Sequence, residues 1–215
     1  MIRDLTDVTG LSMCSFDVTS LFTNVPLRET ISICAEALYS NHLNPAALSK
    51  DNFINLMEFV TTGVEFSFNQ IIYKQIDGVA MGSPLGPLLA NVFVGHYEKL
   101  LFSRIPRPLI YVRYVDDTFV LFKNSEDIES FHSELNNLHA NLKFTKELER
   151  EGRLPFLDVM VERCDNRFAT TVYRKPTFTG EYVRWSSFCD RRRKINIIKT
   201  LVHRVRSICS PVEIT

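Results

Sequence analysis

The stretch Tyr111-Val112-Arg113-Tyr114-Val115-Asp116-Asp117-Thr118-Phe119-Val120-Leu121-Phe122 constrains the fold of this chain more than any other. Aromatic and β-branched residues run up to two adjacent carboxylates and resume directly after them, and runs of that composition form strands. A single strand cannot present Asp116 and Asp117 on one face, because neighbouring side chains point to opposite faces. A tight turn breaks that alternation, so the pair is predicted to form the tip of a β-hairpin. Asp is also a good turn residue in its own right. The tip is therefore either a plain turn or a carboxylate site for a metal, and the rest of the chain must decide.

With 215 residues the chain can bury a sizeable core in one or two domains. Its 45% hydrophobic and 23% charged content excludes a disordered tail. A net charge of zero conceals an asymmetry: the first sixty residues hold seven acids against three bases, whereas Arg191, Arg192, Arg193 and Lys194 stand in a row near the end. Such a split suits an acidic site for cations joined to a basic face for a polyanion. The five cysteines are scattered without a CxxC pair, which fits reduced thiols in an intracellular protein. The sequence shows no signal peptide. The most apolar run, residues 85–102, is interrupted by Asn91, His96, Glu98 and Lys99, so no membrane span is expected.

Taken in order, Ser12 to Phe16 reads as a strand that ends on Asp17, followed by a turn into a helix. Pro26 suits the first turn of that helix, with Ile31, Ala35 and Leu38 at helical spacing. A carboxylate at such a strand end is either a ligand or the cap of the next helix. Asn44-Pro45 is expected to open a second helix that buries Phe53, Leu56, Met57 and Val60. A hairpin follows, turning at Asn69-Gln70, and then the loop Asp77-Gly78-Val79-Ala80-Met81-Gly82-Ser83-Pro84 leads into an apolar helix. Its glycines let backbone approach a ligand closely, or they simply mark a connection. Ser125-Glu126-Asp127 starts an amphipathic helix with the stripe Ile128, Phe131, Leu135, Leu138, Leu142, and a strand carrying Lys143 and Lys146 comes next. Residues 154–161 and 168–174 are expected to pair around Asp165-Asn166, with Asp158 structural. In the last segment Arg174, Lys175, Arg184 and Trp185 interleave aromatics with bases, as stacking on nucleic acid requires. A final helix places Ile195, Ile198, Val202 and Val205 on one side, with Arg192, Arg193, Lys199 and Arg204 elsewhere; this is a nucleic-acid face or a solvated basic face.

If the strands bearing Asp17 and the Asp116-Asp117 tip lie side by side in one antiparallel sheet, three carboxylates converge at one edge. They repel one another, and hard divalent cations relieve that repulsion. Two Mg²⁺ ions, or Mn²⁺ in their place, could then serve an in-line phosphoryl transfer.

Five ordered blocks carry a family resemblance. They are Phe16-Asp17-Val18-Thr19-Ser20-Leu21-Phe22-Thr23-Asn24-Val25-Pro26, the stretch from Gln75 to Pro84, Tyr114-Val115-Asp116-Asp117, Leu154-Pro155-Phe156-Leu157-Asp158-Val159, and Val172-Tyr173-Arg174-Lys175-Pro176-Thr177. The chain resembles the palm of a reverse transcriptase, and more narrowly those of Penelope-like retroelements, relatives of the telomerase reverse transcriptases. The resemblance implies an α+β fold of the right-hand polymerase palm type, a ferredoxin-like antiparallel sheet with helices on one face, followed by a basic thumb-like helical tail. It implies a palm over residues 1–150 and a palm/thumb junction hairpin with a thumb-like segment over residues 151–215. The implied partners are an RNA template, a DNA primer and dNTPs, and the implied compartment is the nucleus.

Residue by residue, the resemblance makes Asp17 and Asp116 the principal ligands of both ions and Asp117 a supporting carboxylate. Phe22 would exclude a 2′-hydroxyl, so that the product is DNA. Leu21 would lie beside the triphosphate through its backbone, and Gly82, Ser83 and Pro84 would line the template and nucleotide side. Lys146 would protonate the leaving pyrophosphate, and residues 154–159 would support the primer end. Many family members place a Gln just before the Gly-Ser-Pro block, whereas here the upstream Gln is Gln75. Only sixteen residues precede Asp17, and no GIY-YIG endonuclease follows, so missing fingers and endonuclease segments of a longer element are expected. Two other readings use the same residues: a catalytically incomplete fragment that only binds nucleic acid, and a two-metal nuclease. The nuclease gives no reason for Phe22 or the Gly-Ser-Pro block.

Overall fold

In the computed structural model, which describes residues 2–40 and 48–210, the centre is a four-stranded antiparallel sheet. Its strands are β1 (Ser12–Val18), β4 (Ile110–Tyr114), β5 (Asp117–Phe122) and β6 (Phe144–Leu148), in the order β4-β5-β1-β6. β1 runs on to Val18, one residue further than expected, and takes Asp17 into the ladder rather than leaving it at the strand end. Period-two alternation sorts the side chains. Cys14, Phe16 and Val18 of β1 join Val120, Phe122 and Phe144 on one face, under the helices. Met13, Phe119 and Leu121 face the other way, into a second core.

The helix-side core is closed by α1 (Leu21–Asn24), α2 (Leu27–Ser40), α4 (Gly86–Arg104) and α5 (Asp127–Asn136). α4 contributes Leu89, Ala90, Phe93, Val94 and Leu101, all fully buried or nearly so. α5 buries Ile128, Phe131 and Leu135 as its stripe predicts, but it ends at Asn136. Asn136 itself stops it: its side-chain amide donates to the Phe144 carbonyl (3.2 Å) and its oxygen accepts from Phe144 N (2.9 Å). Leu142 is buried from the connection, not from the helix.

The expected C-terminal hairpin is a three-stranded meander of β7 (Arg153–Phe156), β8 (Val159–Cys164) and β9 (Arg167–Val172). The run 154–161 is broken by a two-residue turn at Leu157-Asp158, with Leu157 left-handed at φ 55°. Asp158 completes the turn, where its carboxylate pairs with Arg204 and its carbonyl accepts from Tyr173 N at 2.9 Å; it also lines a cleft between the two sheets. Leu154, Val161 and Phe168 of this sheet pack with Val8, Met13, Phe119 and Leu121, so the second core joins the two sheets.

Two helices differ from the sequence expectation. The Asn44-Pro45 start lies outside the described residues; α3 (Lys50–Thr61) is capped by Ser49, whose Oγ accepts from Asn52 N at 3.2 Å. α3 buries no side chain, and Leu56 and Val60 are exposed. The hairpin of β2 (Glu65–Phe68) and β3 (Ile71–Lys74) turns at Asn69 and Gln70, both at positive φ, and is exposed along its whole length. On α6 (Arg191–Ile208) the expected stripe is turned outward, with Ile198, Val202 and Val205 exposed. The side facing the body is the adjacent 3-4 row through Ile197, Leu201, Arg204 and Ile208. It is chosen by polar anchors: Arg204 on Asp158, and Arg3 Nη2 on the Ser207 carbonyl (3.2 Å) while its Nε donates to Thr170 Oγ1 (2.9 Å). A cation at a helix C-terminus satisfies free carbonyls and the dipole together.

Candidate active site

One transverse row of the central sheet carries the acids. Tyr114 pairs with Asp117, Asp117 with Asp17, and Asp17 with Thr145, so four strands each place one residue on the same face. The β4–β5 turn is two residues long and sits one residue earlier than the sequence predicts: Val115 and Asp116 form it, and Asp117 is already the first residue of β5. Val115 has φ 56°, a left-handed conformation that costs a β-branched residue about 1–2 kcal/mol. Val18 N donates to the Asp116 carbonyl at 3.2 Å and ties the turn to the end of β1. β1 and β5 are neighbours, the condition on which the expected convergence of Asp17, Asp116 and Asp117 at one edge rests.

The electrostatics of the acids combine partial burial with mutual repulsion. Partial burial, then the charge of Asp116, raises the pKa of Asp17 above the ordinary carboxylate value. Burial also raises Asp117, with Asp116 and Asp17 adding to it and Lys175 opposing. A raised folded-state pKa means stability that is complete below the unfolded carboxylate pKa and is lost as pH rises through the raised value. These two sites therefore weaken the metal-free protein at neutral pH. Like charges directly opposite each other cost roughly 0.2–1 kcal/mol. Asp117→Asn is accordingly expected to raise the metal-free Tm by about 1–4 °C, with Mg²⁺ stabilising the parent more than the variant. Thermal unfolding with and without Mg²⁺ checks this.

Among the described residues no three His, Cys, Asp or Glu side chains stand close enough to enclose a metal ion unaided. The donor set still fits a hard dication, because Mg²⁺ keeps several waters and is held by one or two carboxylates plus substrate phosphates. Asp17 and Asp117 open onto a cleft of about 880 Å³ between the two sheets, lined also by Tyr114, Leu157, Tyr173 and Lys175.

Lys146 lines the cleft beside Asp17 and Asp117, but its ammonium turns away from them. It lies one residue out of phase with Thr145, on the helix side, where its ammonium pairs with Glu129 of α5. The ladder continues through Lys143, whose carbonyl accepts from Thr19 N at 2.8 Å. Alternation puts the exposed Lys143 side chain on the acids' face. Parity counted back from Asp17's partner would have made that choice, but the register was needed to count from.

Leu21 and Phe22 sit in α1, directly after the left-handed Ser20. The Phe22 carbonyl accepts from Val79 N at 2.7 Å, and its ring lies 3.5 Å from where a Cβ on Gly86 would stand. Phe22 is thus brought against the loop that carries Gly82, Ser83 and Pro84. The two glycines of that loop divide the work. Gly78 approaches the chain's own backbone at Thr23, whereas Gly82, at φ 90°, has nothing within 4 Å of its missing Cβ and faces open space. Gln75 is spent on the hairpin and the loop, with N donating to the Val64 carbonyl (2.8 Å) and Nε2 to that of Asp77 (3.0 Å).

The basic and aromatic residues divide by position. Lys175 lines the cleft, and the exposed Arg174 lies over the Phe178 ring at 4.7 Å. Lys194 stands 5.5 Å from the Trp185 ring, which is otherwise open to solvent. Arg184, Arg192, Arg193 and Lys199 are all exposed on or just before α6.

An antiparallel sheet with helices on one face and three carboxylates at its open edge defines a polymerase palm. Residues 8–149 match the family described as "Reverse transcriptase (RNA-dependent DNA polymerase)", and the chain belongs to that family. Its structure is similar to telomerase from Candida albicans solved with the TWJ fragment of telomeric RNA: TM-score 0.65, 13% identity, 91% of this chain and 36% of that one. It is similar also to apo telomerase from Candida tropicalis truncated from its C-terminal domain, with TM-score 0.55 and 13% identity over 74% of this chain and 35% of that one. The chain thus spans about a third of the length of these telomerases. No curated protein matches the sequence.

Proposed function

We propose that this chain is the palm and partial thumb of an RNA-directed DNA polymerase, with the palm over residues 1–150 and the junction and thumb-like segment over 151–215. The observation that carries this reading is the Tyr114–Asp117–Asp17 row beside Asp116, with Tyr114, Asp117 and Asp17 lining a cleft of about 880 Å³. The order of the sequence blocks favours a Penelope-like retroelement as its source.

When bound, two Mg²⁺ ions supply Lewis-acid activation of the attacking oxygen and charge stabilisation of the leaving one. Asp17 and Asp116 hold them, with Asp117 in support. The Leu21 backbone and residues 82–84 flank the incoming dNTP, and Phe22 closes the space that a 2′-hydroxyl needs. Leu157, at the tip of β7–β8, reaches the cleft where the primer end lies. Lys143, by register, takes the proton-donor role that the family resemblance implies for Lys146. Arg174, Lys175, Arg184, Trp185, Arg192, Arg193 and Lys199 hold the RNA template and primer by charge and stacking, so binding weakens steeply with salt.

Primer extension on a primed RNA template tests the reading, and sugar selection tests its least ambiguous part. Phe22→Val removes most of the ring while α1 keeps its backbone bond to Val79. The preference for dNTP over rNTP is expected to fall by roughly 10–200-fold, the range a pocket gains or loses with such a change in volume. An unchanged ratio would remove Phe22 from the site.

A further inference from the structure

We infer that Arg113 is a positioning residue: through the carbonyl of Val115 it fixes the strained turn that presents Asp116. The inference rests on the polymerase reading for its consequence, but not for its geometry.

Arg113 lies two residues before that turn, on the helix side of β4, and its guanidinium uses all three nitrogens. Nε and Nη2 bind the two oxygens of Glu98 at 2.6 and 3.0 Å, a fork-to-carboxylate pair. Nη1 donates to Asn91 Oδ1 at 2.7 Å and to the Val115 carbonyl at 2.9 Å. The Tyr111 hydroxyl donates to the same Glu98 oxygen at 2.6 Å. Side-chain exposures of 12% for Arg113 and 14% for Glu98 place the pair largely out of water.

A stabilising ion pair needs only Glu98. The additional bond to Val115 falls on the one peptide group whose orientation matters most. That group joins the Val115 carbonyl to the Asp116 amide, so holding the carbonyl fixes ψ of Val115 and φ of Asp116 together. Val115 is β-branched and left-handed, a conformation that persists only where the surroundings over-determine it. A charged donor inside a largely dry pocket is the group that does so here. Asn91 and Glu98 lie two turns apart on α4, which begins at Gly86, just after the Gly82-Ser83-Pro84 loop. Arg113 therefore references the Asp116 turn to the helix that also carries the nucleotide-side loop. Lysine cannot replace it, since a single ammonium cannot take a bidentate carboxylate, an amide oxygen and a carbonyl at once.

The test is amide hydrogen exchange on the metal-free protein, comparing the parent with Arg113→Lys. The Val18 amide, bonded to the Asp116 carbonyl, reports the turn; the Glu149 amide, bonded to Met13 O at the far end of β1, reports the sheet as a whole. Expected is about tenfold faster exchange at Val18 with Glu149 little changed, and a loss of Mn²⁺ affinity of about tenfold, the size seen when a ligand's outer partner is removed. Equal acceleration at both amides, or none at Val18, would show an ordinary ion pair and overturn the inference. If Arg113→Lys fails to fold, Asn91→Ala at the exposed end of the fork carries the same test: faster exchange at Val18 alone supports it, and any other pattern ends it. A parent that binds no Mn²⁺ but shows the Val18 effect would count against the polymerase reading and leave the positioning role standing.

Discussion

Primer extension on an RNA template is expected to fall by about three orders of magnitude when Asp116 becomes Asn, with binding of the primed template changed by less than about twofold. Each factor of ten in rate is about 1.36 kcal/mol, and the charge stabilisation supplied by a pair of held cations amounts to several kcal/mol. Asn preserves the volume of the side chain and suits the turn. The bonds that place residue 116 come from its own carbonyl and from that of Val115, so the substitution leaves the backbone where it is. What changes is the charge that adds to burial in raising the pKa of both Asp17 and Asp117. Asp116→Asn should therefore lower both of those pKa values as it removes activity, while the part due to burial remains. Absence of extension by parent and variant alike, with template binding intact, would leave a palm fold that serves as a nucleic-acid-binding module at this length. Equal extension by both would place the reactive centre elsewhere.

The acid row was legible because it follows from local rules. Two adjacent carboxylates between two strand-forming runs force a tight turn, and an antiparallel partner then brings a strand-end acid beside them. The faces of α3 and α6 were not legible. Each carries apolar residues at helical spacing on more than one side, and periodicity cannot say which side meets the body. On α6 the decision falls to Arg204, Asp158 and Arg3, which lie far apart in sequence. Lys146 was misplaced for a related reason. A lysine on a strand near the acids has even odds of facing them, and only the register with β1, together with Glu129 on α5, resolves its side. Arg113 was visible as a residue inside the diagnostic stretch, yet its role depends on Asn91 and Glu98 of another element. Loop 77–86 was half legible. Its glycines announced a close approach, but sequence cannot distinguish an approach to a ligand from an approach to the chain's own backbone.

That distinction gives the second large effect, at Gly78. A Cβ there would stand 2.6 Å from the Thr23 carbonyl oxygen and 2.9 Å from Thr23 C and Cα, and the residue is held at φ 81°. Neither problem can be relieved locally. Asp77 Oδ1 accepts from both Gly78 N (2.8 Å) and Leu27 N (3.1 Å), while Val79 N donates to the Phe22 carbonyl at 2.7 Å. The loop is thus fastened on both sides of the glycine to the segment that runs from α1 into α2. Left-handed strain contributes about 1–2 kcal/mol for Ala and overpacking against fixed backbone about 1–3 kcal/mol. Gly78→Ala is expected to cost roughly 3 kcal/mol, a fall of about 6–12 °C in Tm for a chain of this size. Gly82→Ala is the control: it carries the same left-handed strain at φ 90° with nothing within 4 Å, so about half that loss or less is expected. The two should also part in their effect on chemistry. Any relief of the Gly78 clash must displace Thr23, and Phe22 moves with it, so the folded fraction of Gly78→Ala should discriminate less well between dNTP and rNTP. Gly82→Ala should keep that ratio and instead weaken dNTP binding, because its new methyl group enters the open side of the loop. Thermal unfolding paired with the incorporation ratio separates the two glycines; equal Tm losses, or an unchanged ratio in Gly78→Ala, would mean that the loop does not set the position of Phe22.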